Sequence, residues 1–147
     1  MSTIWLRLVE HLHGHLGWLA TVALYHPAIL LRRPRRRALV AAGLATGLAT
    51  SAGLLGALLY PRYRQIIKPA LFASAPLIGN MFERKEHLAV AAVVLAWTGF
   101  AAHWAVCRDG VAAARLDRAA FVAYAGAAAL ATVTAILGII VAAHQTF

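Results

Sequence analysis

The chain has 147 residues, 62% of them hydrophobic and only 13% charged, with a formal net charge of +9. An ordinary soluble domain carries about a quarter charged residues, so this composition excludes a water-soluble globule and points to a chain that uses lipid as its solvent. The lone Cys107 excludes an internal disulfide, a paired-cysteine redox centre and a CxxCH attachment.

The first 14 residues, MSTIWLRLVEHLHG, lack the basic start, apolar stretch and small-residue cleavage site of a removable signal. About 20 apolar residues are needed to cross the hydrocarbon core. Four runs meet that length, at about 12–31, 38–60, 87–107 and 119–144. None alternates as barrel strands do, so the fold class is all-α: a polytopic membrane protein, one domain over 1–147, built as a four-transmembrane-helix bundle. Pro27 follows His26 near the end of the first run and predicts a kink or an end there. Gly43 and Gly47 in the second run, and Ala127, Ala131 and Ala135 in the fourth, are spaced for close helix contact, within one chain or across a homodimer. The segment 61–86 is too short in its apolar middle to span and is broken by Pro69 and Pro76, which predicts an interfacial cap.

Charge sets the direction. The first connection holds five arginines in the six residues 32–37, and the third holds Arg108, Arg115 and Arg118. Basic loops of this kind stay on the cytoplasmic side and touch anionic lipid. That excludes nucleic acid as the partner and places both termini outside, in the periplasm if the chain sits in a bacterial inner membrane, a source that the alanine- and arginine-rich composition favours.

The seven histidines are the main chemical resource of so apolar a chain. His15 and His26 on the first run are eleven residues apart, roughly 16 Å, and differ by only about 20° around the helix. His87 and His103 on the third run are roughly 24 Å apart but differ by about 160°, so a straight helix does not aim both at one partner. Two imidazoles from separate helices at each depth make a bis-histidine site. Gly14 and Gly99 leave room for a flat ring, and Arg62, Arg64 and Lys68 are cations for its carboxylates.

This layout, with His15/His26 and His87/His103 on alternate spans, resembles the four-helix membrane cytochromes of the b type, including the b561-like group. The resemblance is one of architecture and rests on no signature sequence. It implies one or two haem b groups, ligated by His15 with His87 and His26 with His103, and electron transfer between a quinol or small donor and a redox protein. His144 and His11 are the substitutes for His87 or His15 where the third helix mis-aims His87.

Two other readings stay open. Glu10, His11 and His13 with Glu83, Glu86 and His87 offer an outer-surface zinc, copper or iron site. A di-iron centre wants about four carboxylates, too large a share of the five acids in the chain. The third reading is a cofactor-free membrane anchor, a subunit of a larger complex, with the histidines marking an interface.

Overall fold

The computed structural model describes residues 3–33, 38–109 and 113–144. They form α1 (Thr3–Leu30), α2 (Leu39–Arg62), a π-helical turn (Tyr63–Ile67), α3 (Lys68–Ser74), α4 (Pro76–Asp109) and α5 (Ala113–Ala143). The four long helices close a ring in which α1 packs on α2 and α5, and α4 packs on α2 and α5. Successive long helices run in opposite directions. One end of the bundle carries Arg32, Arg33, Arg108, Arg115 and Arg118; the rest of the arginine run, 34–37, lies outside the described residues. The other end carries α3.

Among the described residues, three stretches are long and apolar enough to cross a membrane: Leu39–Ser74, Pro76–Arg108 and Arg115–Ala143. The expected first span is a helix of 28 residues, but it is not one of the three. His11, His13, His15, His26 and Pro27 dilute its apolar run.

Small side chains set the interior. In the main core cluster, eleven of the fourteen buried residues are alanine. On α2 the buried stripe is Ala42, Ala45, Ala49 and Ala52, spaced by threes and fours. Lipid tails are as apolar as a leucine, so helices associate in a bilayer through close van der Waals contact, which small side chains permit. The Gly43 and Gly47 pair is not that seam: Gly47 is exposed and a Cβ there would touch nothing within 4 Å. Gly99 is a true close approach, since a Cβ there would lie 2.8 Å from Tyr124 Cδ2 and 3.3 Å from the Ala120 carbonyl oxygen.

Hydroxyls lock the helices together. The Tyr124 hydroxyl crosses the bundle from α5 and donates to the Ala42 carbonyl at 3.0 Å. Thr46 donates to the Tyr124 oxygen at 2.9 Å, with the Ala96 carbonyl of α4 at 3.3 Å as its alternative acceptor. Tyr25 of α1 bonds Thr132 of α5 at 2.9 Å, and Trp97 Nε1 of α4 donates to Thr50 of α2 at 3.1 Å.

The prolines do less to the chain than expected. α1 carries through Pro27 and ends at Leu30, where the Leu31 N–H still reaches the Pro27 carbonyl at 2.9 Å. α2 carries through Pro61, and the lost hydrogen bond is absorbed in the π turn that follows. The segment 61–86 is therefore helical rather than a loop. The chain reverses at Ala75, extended at φ −148° and ψ 77°, as the residue before Pro76 must be. The reversal is tight because residue 79 is glycine: a Cβ there would sit 2.8 Å from the Phe72 ring. Leu71, Ile78, Phe82 and Val141 bury this hairpin against the end of α5.

Candidate functional site

The structure spreads the histidines around the bundle. His11 and His15 are exposed on α1. His13 is half-buried; its Nδ1 donates to the Ala52 carbonyl at 3.0 Å, and its ring lies against Gly56. His26 is exposed in the open groove between α1 and α2, beside Ala23, Leu30, Ala41 and Leu44. His87 and His144 are exposed, and each donates through Nδ1 to the carbonyl one turn back on its own helix, Glu83 and Ile140, at 2.8 Å.

His103 alone is fully buried, at 0% exposure. It projects from α4 against α5, where its Nδ1 lies 3.4 Å from Asp117 Oδ1. Its other ring nitrogen faces the Cys107 sulfur, one turn along α4, at 3.6 Å. The carboxylate accepts from Nδ1–H, and the thiol donates to Nε2. These two nitrogens sit on opposite edges of the imidazole, so the three groups form a chain from thiol to carboxylate and do not converge on one point. Among the described residues, no three His, Cys, Asp or Glu side chains are grouped to hold a metal ion.

The haem-site residues fall apart accordingly. His26 looks outward between α1 and α2, while His103 looks into the α4/α5 seam. His15 is exposed, and His87 is tied to its own turn. Gly14 has open space around it, and the room expected beside Gly99 is filled by the Tyr124 ring. The reason is the face mismatch between His87 and His103, which a continuous α4 does not relieve. Arg62 and Arg64 are exposed at the α3 end, but Lys68 pairs with Glu83 at 2.7 Å.

The outer metal set is dispersed in a similar way. The Glu10 carboxylate lies near the Tyr63 hydroxyl, and its Oε1 is buried without a hydrogen-bond partner. Glu83 is held by Lys68. Lys85 lies over the Phe82 ring, 5.1 Å from its centroid, and Phe82 stacks on Tyr63 at 5.7 Å. The polar residues at this end thus join α1, the π turn and α4 instead of facing a common centre.

The buried Asp117 and Tyr124, and the half-buried Cys107 beside His103, are the contacts that sequence reasoning missed. A fourth span starting at 119 leaves Asp117 in a loop; in fact α5 starts at Ala113, and Asp117 is buried in its second turn. Hairpin register was the available signal, since α4 and α5 meet through a short connection and residues equally far from it face each other. Trp97 and Trp104 do not line the interior: they are 50% and 48% exposed, flanking Phe100 edge to face. No family model matches the chain, and no curated protein or solved structure matches it either.

Proposed function

We propose that the chain is a multi-pass membrane subunit that anchors or scaffolds a larger complex through the outer faces of its helix bundle. One observation supports this reading above the others: the interior is closed by alanine, and the polar side chains buried in it, Thr21, Thr46, Tyr124, His103 and Asp117, bond to one another or to backbone, the orphaned Glu10 Oε1 and Thr134 Oγ1 belonging to half-buried residues. What is left for contact lies outside. The faces of α2, α4 and α5 present Leu44, Leu54, Val94, Trp97, Val122 and Ile136. The continuous stretch Leu39–Ser74 has 36 residues, about 54 Å at 1.5 Å per residue. A hydrocarbon core of about 30 Å leaves much of it outside the bilayer. With the start of α4 it forms a helical knob carrying Arg62, Arg64 and Arg84, all exposed. The run of arginines at the opposite end supports a reading in which that end faces the cytoplasm and the knob, which carries basic residues of its own, faces the periplasm of a bacterial inner membrane.

Mild-detergent purification from the native membrane tests this. The expected result is a colourless protein that co-purifies stoichiometrically with another polypeptide. A colourless protein that runs alone would sink it.

The haem reading stands second, on one feature. A carboxylate behind Nδ1 is how ligating imidazoles are oriented, and Asp117 stands there behind His103. Ligation through Nε2 requires the ring to give up Cys107 and a second imidazole to reach the α4/α5 seam, which the outward-facing His26 does not do. A reduced-minus-oxidised haem spectrum in the purified protein, lost in His103→Ala, would move this reading to first place. Stoichiometric zinc or copper, lost in His13→Ala, would do the same for the outer metal site.

A further inference from the structure

We infer that the α4/α5 groove is a binding site for one anionic phospholipid of the cytoplasmic leaflet, with its phosphate on Arg115 and Arg118 and one acyl chain along α5. The groove is lined by Arg115, Arg118, Ala119, Val122 and Gly126 of α5 and by Leu95 of α4. Position fixes the chemistry of each part. The stretch Arg115–Ala143 has 29 residues, about 43 Å long, so it exceeds the hydrocarbon by roughly 13 Å, about four residues at each end. Arg115 and Arg118 therefore stand at headgroup depth, and Ala119 onward stands in the acyl region.

Groove length is the second argument. Below headgroup depth, from Ala119 to Gly126, the groove runs seven residues, about 10 Å. Half of a bilayer core is about 15 Å, so the groove holds about two thirds of one leaflet's acyl chain below a phosphate. A soluble phosphate would use the two arginines and leave the apolar floor unexplained. The floor is shallow because its side chains are small. Ala119 is exposed, and Gly126 keeps Leu95 in place, since a Cβ there would lie 3.1 Å from Leu95 Cδ1.

Charge is the third argument. Both arginines are exposed, one helical turn apart on one face. The carboxylate beside them in sequence, Asp117, turns inward to His103. Among the described side chains, the ion pairs are Lys68–Glu83 and His103–Asp117, and neither includes Arg115 or Arg118. They also stand in the first two turns of α5, where the helix dipole favours an anion. Basic pockets between spanning helices on the cytoplasmic side take anionic headgroups in just this manner.

The experiment is native mass spectrometry of the purified full chain, released from nanodiscs of equal phosphatidylglycerol and phosphatidylcholine with identical acyl chains. The chain should retain one phosphatidylglycerol preferentially. Arg115→Ala and Arg118→Ala should each lower the retained ratio by about fivefold, as a surface arginine does near anionic lipid. Ala119→Trp, which fills the groove and leaves both arginines, should abolish retention while the circular dichroism melt is unchanged. Arg62→Ala with Arg64→Ala, at the other end, should leave the ratio as in wild type. An unchanged ratio in the Arg115→Ala, Arg118→Ala double variant overturns the site. So does full retention in Ala119→Trp, and so does displacement of the lipid by inorganic phosphate alone.

Discussion

Gly99→Ala tests whether the α4/α5 seam is set by the approach of Tyr124. The new Cβ would lie 2.8 Å from Tyr124 Cδ2 and 2.9 Å from Cε2, where carbon atoms prefer about 3.5–4.0 Å. The ring has little freedom to yield, because its hydroxyl is held by Ala42 and Thr46 at 3.0 and 2.9 Å. The Ala120 carbonyl, 3.3 Å from the same Cβ, blocks a shift of the helix along the other direction. Overpacking of this kind costs about 1–3 kcal/mol, and replacing a helical glycine with alanine returns up to about 1 kcal/mol. The net expectation is a loss of about 1 kcal/mol. In a Tyr124→Ala background the ring clash is gone and only the 3.3 Å approach to the Ala120 carbonyl remains, so the helix gain outweighs it and the same substitution should stabilise by less than about 1 kcal/mol. The assay is reversible unfolding in mixed micelles, read by far-ultraviolet circular dichroism and analysed as a double-mutant cycle. Equal effects of Gly99→Ala in the two backgrounds would refute the claimed contact.

Asp117→Leu alone should destabilise the bundle by about 1–3 kcal/mol, since it strands the buried His103 ring; the double variant His103→Leu, Asp117→Leu should recover most of that loss in the same unfolding assay. If the double variant is as weak as the single, the pair is not what holds the seam. Gly79→Leu should open the α3/α4 reversal by driving into Phe72 and increase proteolysis near residue 75, and adding Phe72→Ala should restore protection. Thr46→Val should cost about 0.6 kcal/mol, the mean for a hydrogen bond between membrane helices, and a cost near zero would show that Tyr124 is satisfied by Ala42 alone. Lys68→Ala should leave the unfolding midpoint unchanged, because its partner Glu83 faces water; a clear drop would mean that the pair clamps the hairpin.

The fold was legible in the long apolar runs, which are a bulk property and survive errors of several residues at each end. The direction of each side chain was harder to read, because interior and lipid-facing positions of these helices are equally apolar. The hydrophobic periodicity that separates core from solvent in a soluble helix has no counterpart on α2 or α5. Alanine against leucine was the usable contrast, and it marks Ala42, Ala45, Ala49 and Ala52 as the inner stripe where the glycine spacing misled. Helix rise gives the spacing of the histidines along an axis, but a spacing does not say which neighbour a ring faces. The mismatch between His87 and His103 did foreshadow their separation. Asp117 was hidden by a helix boundary drawn six residues late, and with it the one buried carboxylate partner of an imidazole among the described residues.

An interior built from alanine has an asymmetric response to mutation. There is almost no side-chain volume left to remove, so nearly every replacement at Ala42, Ala96, Ala120 or Ala127 enlarges the residue and pushes two backbones apart. Drift in this chain is therefore channelled to the lipid side, where size is free to vary. Variants selected for growth should keep these four sites small while their outward neighbours exchange Leu, Ile, Val and Phe without penalty.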